Sequence, residues 1–211
     1  MLNAKVKKYR LTGFTPLLGS QPCSEEIRTQ FIASKAPVPE NTGDECVQDL
    51  DEKGLTVFFT DPDHDDVLCL MDYQIRGFLK GAGRAIAKQL GVAALASKID
   101  QLVFIDQRRI PILRDGNPVY DTDQQKERPL RAQTALGPRV TLAASEQILD
   151  PWQIEFSVTI LENSGTKQSK PITFELIEDI LDYGYLQGLG QWRTGGYGRF
   201  RWEALTEEEE A

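Results

Sequence analysis

The chain has 211 residues and a formal net charge of −8, a length that suits one domain with insertions around a buried core. No apolar run approaches the ~18 residues of a membrane span, and the opening residues lack the apolar region of a secretory signal. The three cysteines, Cys23, Cys46 and Cys69, are odd in number and lack close-paired metal spacing, so we expect reduced thiols in a cytoplasmic protein.

The first part of the chain alternates predicted strands with polar segments. Residues 5–13 alternate apolar and basic side chains, which predicts a half-buried strand. A serine followed by two acids predicts a short helix over 24–33, and prolines and glycine predict a surface loop over 36–53. Residues 55–60 and 67–71 form a predicted hairpin. We define an acidic insertion over about 36–72.

The strongest predicted helix follows this insertion. Its apolar positions recur every three or four residues and form one face: Ile75, Leu79, Ala82, Ile86 and Leu90. Four cations at strict i, i+4 spacing form a basic stripe that we expect to be exposed and free of acids: Arg76, Lys80, Arg84 and Lys88. Gly91 is the predicted C-cap. Three glycines weaken the helix interior, which suggests that another backbone or a ligand packs there: Gly77, Gly81 and Gly83.

The second part of the chain supplies the remaining elements. Strands are predicted over 101–106, 140–144, 154–161 and 197–202, and a helix is predicted to open at Pro171, where a missing N–H costs nothing. Without insertions the order is strand, helix, strand, strand, helix, strand. This order is the ferredoxin-like (RRM-like) βαββαβ pattern of an α+β fold.

Two further segments lie outside this pattern. Residues 107–139 have no clear period and contain several prolines, and a loop that long in a compact domain is usually functional or disordered. Residues 206–211 form an acidic tail. We therefore predict one domain over 1–205 with two insertions.

A glycine-rich loop precedes the last predicted strand. Five glycines occupy eleven positions, which requires positive φ angles and a backbone that something approaches closely: Gly188, Gly190, Gly195, Gly196 and Gly198. Trp192 and Tyr197 offer stacking surfaces, and Arg193 and Arg199 offer cations for phosphate. Trp192 could instead plug the core over the sheet, and Tyr197 could face the core from a strand.

The charges are sorted along the sequence. From position 40 to 72 there are eleven acids and one lysine, whereas positions 1–20, 73–99 and 184–202 contain no acid. A net negative charge argues against nucleic-acid binding, but the distribution of charge matters more than its sum. Three basic segments therefore remain candidates for binding RNA.

These three segments resemble the RAMP superfamily, the RNA-binding proteins that form backbone and guide-processing subunits of CRISPR effector complexes. Residues 9–20 (YRLTGFTPLLGS) are similar to the first strand of the backbone-subunit branch, and residues 75–84 (IRGFLKGAGR) to its first-helix signature. Residues 188–200 (GLGQWRTGGYGRF) resemble its carboxy-terminal glycine-rich loop. The three motifs stand in the order that the branch has.

The resemblance implies a single RAMP domain and a non-catalytic subunit that binds single-stranded RNA, possibly guide RNA, in a CRISPR-type antiviral-defence assembly with related subunits or its own copies. It implies no cofactor, no metal and no membrane. The residues expected to bind RNA are Lys8, Arg10, Arg76, Lys80, Arg84, Gly188, Gly190, Trp192, Arg193, Gly196, Tyr197, Gly198 and Arg199. In this branch a thumb-like hairpin touches the guide RNA, and the 107–139 insertion could be its counterpart.

Two alternatives remain. The first is an RNA-processing endoribonuclease, in which the single histidine, His64, would act as general base; some backbone subunits instead cut target RNA with a thumb aspartate, for which the insertion offers Asp115, Asp121 and Asp123. The acids around His64 could hold a divalent cation, although a solvated acidic turn explains them more simply. The second is a phage or prophage protein that mimics or caps such a subunit through protein–protein contacts.

Overall fold

The computed structural model describes residues 3–23, 55–134, 137–161 and 170–205, and the side chains of 130–142 are not described. The predicted helix over 24–33, the loop over 36–53, Cys46 and the acidic tail lie outside the described residues. Within them, no helix is long and apolar enough to cross a membrane.

The main sheet has the predicted α+β, ferredoxin-like topology. Its four core strands are β1 (Ala4–Gly13), β7 (Val103–Ile105), β12 (Gln153–Leu161) and β13 (Phe200–Leu205). They lie in the order β13-β1-β12-β7, and every neighbouring pair is antiparallel. Strands β8 (Arg109–Arg114), β6 (Val67–Met71) and β5 (Phe59–Asp61) extend the sheet beyond β12, and β9 (Asn117–Pro118) pairs with β8.

Three α-helices accompany this sheet in the described part of the chain. Helix α1 (Asp72–Leu90) ends at Gly91, which has φ +64° as a left-handed C-cap. Helix α2 (Leu95–Leu102) occupies the start of the strand predicted over 101–106, which is therefore shortened to β7. Helix α3 (Phe174–Asp182) begins after Thr173, whose hydroxyl accepts a hydrogen bond from the Leu176 N–H at 3.3 Å. Pro171 therefore precedes the helix, because a threonine can satisfy a free N–H and a proline cannot.

The core lies between the sheet and the helices. Alternate residues of β12 are fully buried and meet the apolar face of α1, on which Ile75, Leu79, Ala82 and Ile86 are buried as predicted. Gly83 allows close helix packing, because a Cβ there would lie 2.7 Å from Ile99 Cδ1 of α2. Cys69 is buried in β6, and burial raises the pKa of its thiol to about 11.

A second sheet carries a long hairpin. Strands β10 (Gln124–Thr134) and β11 (Gly137–Ile148) pair over eleven positions, a length of about 35 Å at the usual rise per residue. The base of the hairpin pairs with β2 (Leu17–Leu18) and with β4 (Leu55–Val57), which in turn pairs with β3 (Gln21–Pro22).

The hairpin corrects the boundaries of the predicted insertion. Residues 109–114 belong to the main sheet, and the hairpin continues to Ile148, past the predicted end at 139. Residues 140–144 are one part of this hairpin and not a strand of the core. The prolines at 129 and 138, each inside a strand, obscured the period of the segment, because proline is typical of turns and edge positions.

Candidate nucleic-acid interface

The glycine-rich loop is folded against the rest of the chain. Gly190, Gly196 and Gly198 have φ values of +72°, +86° and +68°, as expected from a glycine-rich sequence. A Cβ at Gly198 would lie 2.1 Å from the Leu189 carbonyl oxygen, and one at Gly190 would lie 2.6 Å from the Leu18 carbonyl oxygen. At these two positions the closely approaching group is therefore the protein backbone. The last strand begins later than predicted, at Phe200, because residues 197–199 belong to this loop.

The loop is hydrogen-bonded to the Thr-Pro-Leu turn near the start of the chain. The Gly198 N–H donates to the Pro16 carbonyl at 2.8 Å, and the Gln191 N–H donates to the Leu18 carbonyl at 3.3 Å. The Arg199 N–H donates to the Thr15 hydroxyl at 2.8 Å. Two of the three motif segments thus form one structural unit.

Helix α1 brings the third motif segment to the same place. Gln74 donates from Nε2 to the Ser20 hydroxyl at 2.5 Å, which ties the first turn of the helix to the end of the opening segment. A groove of about 210 Å³ lies between the helix, this segment and the loop. Its lining comes from all three: Ser20, Gln74, Gly77, Phe78, Leu189, Gly190 and Arg193. A Cβ at Gly77 would meet no atom within 4 Å among the described residues, so the helix backbone is open to a ligand there.

The basic stripe of α1 is divided in two. Arg76 and Lys80 are half-buried and both form ion pairs with Asp100 of α2, at 3.4 Å and 2.9 Å. The Lys80 hydrogen bond lowers the pKa of Asp100 despite partial desolvation of the carboxyl. The expectation that this stripe is free of acids is therefore wrong for its first two cations, because Asp100 is one residue beyond the acid-free segment. Arg84 and Lys88 are exposed, and no acid pairs with them in the described part of the chain.

Lys8 and Arg10 lie elsewhere. They alternate along β1 with the buried Tyr9 and Leu11, so they face away from the helices. Arg10 binds Glu155 at 2.8 Å and Glu203 at 3.1 Å, and Lys8 lies 3.5 Å from Glu155. The structure therefore separates these two predicted cations from the groove and pairs them with carboxylates.

The two aromatic residues of the loop form a stack. The rings of Trp192 and Tyr197 lie 5.1 Å apart with an interplanar angle of 18°. Trp192 is 36% exposed, so it is not a core plug, and Tyr197 is half-buried in the loop and not in a strand. The guanidinium of Arg128 lies 5.1 Å from the Trp192 ring centroid.

Arg128 is a residue that the sequence pattern did not single out. It lies on β10, its side chain is 6% exposed, and burial lowers the pKa of its guanidinium. Its Nε and Nη1 atoms are buried and have no hydrogen-bond partner among the residues that the structure describes. An arginine among several other charges has no distinguishing periodicity, so no signal in the sequence could have found it.

The two arginines of the glycine-rich loop have different environments. Arg193 is exposed at the groove, in the turn that follows Trp192. Arg199 is half-buried beside Gly196, and its Nε atom is buried with no hydrogen-bond partner in the described chain. No acid pairs with either one within the ranges that the structure describes.

The acidic turn around His64 is organised internally. The buried carboxylate of Asp61 binds His64 Nδ1 at 2.8 Å, the Asp63 N–H at 3.2 Å and Arg109 at 3.2 Å. Burial acts to raise the pKa of Asp61, but the two hydrogen bonds and the charge of Arg109 outweigh it and lower that pKa. No group of three or more potential metal ligands occurs among the described residues.

Of the three aspartates that the insertion offers for catalysis, Asp123 is the most constrained. It accepts two hydrogen bonds from Arg114 and one from the Leu149 N–H. The Arg114 hydrogen bonds are the main reason why the pKa of Asp123 is lowered. Asp123 thus fixes the base of the hairpin. Asp115, by contrast, lies in the turn between β8 and β9 and has φ +51°.

No protein-family model and no curated protein matches the chain. Among solved structures, one similar chain comes from the cryo-EM structure of the Type III-B Cmr-beta bound to cognate target RNA. The two chains are 10% identical with a TM-score of 0.48, and the match covers 96% of this chain and 61% of that one. This chain therefore spans less than two thirds of the neighbour's length.

Proposed function

We propose that this chain is a non-catalytic, RAMP-like protein of the cytoplasm that binds single-stranded RNA, including guide RNA, as a subunit of a CRISPR-type assembly. The observation that carries the proposal is the convergence of all three motif segments on one groove. A ligand in this groove can therefore contact all three segments at once.

The chemistry of this groove suits a ribose-phosphate backbone. Arg193 supplies a cation beside Gly77, where the helix backbone is open, and phosphate contacts of this kind fix the position of a strand without reading its sequence. Arg84 and Lys88 continue along the same helix as exposed cations. The Trp192–Tyr197 pair stands in the adjoining loop, where aromatic rings can stack on unpaired bases.

The proposal is tested by what the purified protein carries and what it binds. The ratio of absorbance at 260 and 280 nm, with sequencing of any bound RNA, shows whether nucleic acid copurifies. Fluorescence anisotropy with labelled single-stranded RNA then compares the parent with an Arg84→Ala/Lys88→Ala/Arg193→Ala variant. Removing one cation that binds a phosphate reduces the slope of log K against log salt by roughly 0.7, so we expect the slope of the triple variant to fall by about two units.

A matched control is Arg10→Ala, because two carboxylates already hold that guanidinium. Its salt slope should equal that of the parent, because no phosphate contact is lost. The melting temperature of the triple variant should be nearly unchanged, since exposed substitutions usually stay within about 0.5 kcal/mol. A triple variant that keeps both its affinity and its salt slope would overturn the proposed groove.

Two alternatives predict other results. A mimic or cap that works through protein contacts predicts that the triple variant loses partner binding and that the parent has no RNA affinity. The exposed Tyr185 and Leu186 after α3, at 53% and 62% exposure, favour such a surface.

An endoribonuclease predicts cleavage of labelled RNA. We expect the RNA to stay intact with Mg²⁺ and with EDTA, whereas cleavage that His64→Ala abolishes would move the protein to the processing branch.

A further inference from the structure

The face of the hairpin that contains Arg128 is polar although it is buried. Arg128 on β10 and Ser145 and Gln147 on β11 are 6%, 1% and 4% exposed. Two of them have partners, because the Ser145 hydroxyl lies 2.7 Å from the Thr56 hydroxyl and Gln147 Oε1 accepts from Gln124 at 3.2 Å. Of these three described side chains, the guanidinium is the one that retains buried donors without acceptors.

Three arginines of the described chain have buried nitrogen atoms without a hydrogen-bond partner: Arg76 and Arg199 have one such atom each, and Arg128 has two. The buried Asp61 has three hydrogen-bond donors, and Arg114 has a bidentate carboxylate in Asp123. Arg128 has a tryptophan ring and two buried nitrogen atoms, Nε and Nη1, without acceptors in this part of the chain. A buried donor without an acceptor destabilises the protein, and a ligand that supplies the acceptor would remove this cost.

A phosphate group satisfies what this position lacks. A guanidinium presents five N–H donors in a planar fork that matches the oxygens of phosphate. The Trp192 ring centroid lies 5.1 Å from this guanidinium, and Tyr197 is stacked on Trp192. The two rings offer apolar surface of the kind that packs with a nucleobase. A site that binds an oxyanion next to two aromatic rings therefore suits a nucleotide, which carries a phosphate group and a base.

We infer that Arg128, Trp192 and Tyr197 form a nucleotide subsite between the hairpin and the glycine-rich loop, in which the guanidinium holds a phosphate group and the base packs beside the aromatic pair. This inference rests on the proposed RNA-binding function and adds a contact distinct from the groove at Gly77. The phosphate can come from one nucleotide of an RNA strand or from a free mononucleotide.

The test compares Arg128→Met with Arg114→Met in the full chain. Methionine fills a similar volume without charge, so Arg128→Met should keep or raise the melting temperature of the ligand-free protein, because it removes an unpaired buried charge. Arg114→Met should lower it, because it leaves Asp123 without its cation. The melting temperature is then measured against inorganic phosphate, uridine monophosphate, adenosine monophosphate and single-stranded RNA, with sodium glutamate as a carboxylate control.

We expect the parent and Arg114→Met to be stabilised by the nucleotides or by RNA, and Arg128→Met to bind them roughly tenfold or more weakly, as expected for hydrogen bonds to a charged group. Stabilisation by mononucleotides identifies a free nucleotide as a ligand, and stabilisation by RNA alone identifies a nucleotide of the strand. Arg128→Lys keeps the positive charge but loses the planar set of N–H donors, so it should bind the same probes with reduced affinity. This variant tests the subsite even if Arg128→Met does not fold.

The inference is overturned if Arg128→Lys and Arg128→Met bind every probe like the parent, if no probe stabilises the parent, or if glutamate acts as well as the nucleotides. Failure here and failure of the proposed function are distinguishable. RNA affinity that depends on Arg84, Lys88 and Arg193 but not on Arg128 leaves the groove intact and removes only the subsite.

Discussion

Replacing Gly77 with alanine should raise the stability of the protein and lower its affinity for RNA. An alanine Cβ at this exposed position of α1 meets no described atom within 4 Å, so the change removes only the entropic penalty of a helical glycine, about 0.5–1 kcal/mol. In a chain of this size 1 kcal/mol corresponds to roughly 2–4 °C, and we expect the melting temperature to rise by about 1–4 °C. The same methyl group occupies the groove.

An extra methyl group at a close contact costs about 1–3 kcal/mol, which corresponds to a roughly 5- to 150-fold loss of RNA affinity. Gly81→Ala is the matched control, because Gly81 is equally open in the same helix but does not line the groove. Calorimetry should show both variants stabilised, and anisotropy should show weaker RNA binding for Gly77→Ala than for Gly81→Ala. Gly77→Ala with the RNA affinity of the parent would refute the placement of RNA along this part of α1.

The remaining predictions concern the loop and the acidic turn. Gly198→Ala and Gly196→Ala both place an alanine in the left-handed region, which costs about 1–2 kcal/mol. The new Cβ at position 198 would also lie 2.1 Å from a backbone oxygen, whereas the nearest atom to a Cβ at position 196 is 3.6 Å away. Urea unfolding should therefore show the larger loss for Gly198→Ala, and equal losses would contradict the contact. Asp61 stabilises the fold above its ordinary pKa of 3.8, and this contribution is lost as pH falls through the lower folded value. Asp61→Asn should flatten the decline of the urea midpoint below about pH 4, and an unchanged decline would contradict this.

The order of the fold could be read from the sequence because its core elements have strong periods. The alternation in 154–161 and the apolar face of α1 identify a strand and a helix without tertiary information. The hairpin could not be delimited in this way. Its strands are held by pairing with each other and, at the base, with residues 17–18 and 55–56, and such long-range pairing overrides a local sequence that contains prolines.

The sequence identified segments of the candidate site, but it did not show which side chains these segments bring together. Composition identified the glycine-rich loop and its positive φ angles, since few other sequences need so many glycines. It could not show that Arg76 and Lys80 bind Asp100, because a carboxylate on the next helix leaves no mark on the period of α1. Arg128 required the structure, because its significance lies in the absence of an acceptor around it among the described residues.

The hydrogen bonds that join residues 15–18 to residues 191–199 have a consequence for the order of events during synthesis. The two halves of this contact are made by the ribosome far apart in time, with most of the chain between them. A nascent chain that still lacks its glycine-rich loop also lacks β13, the edge partner of β1. Contacts of such long sequence separation form late and slow the folding of a domain. The groove therefore forms only after the glycine-rich loop has emerged, so a ligand that binds there distinguishes chains that contain this loop from shorter ones.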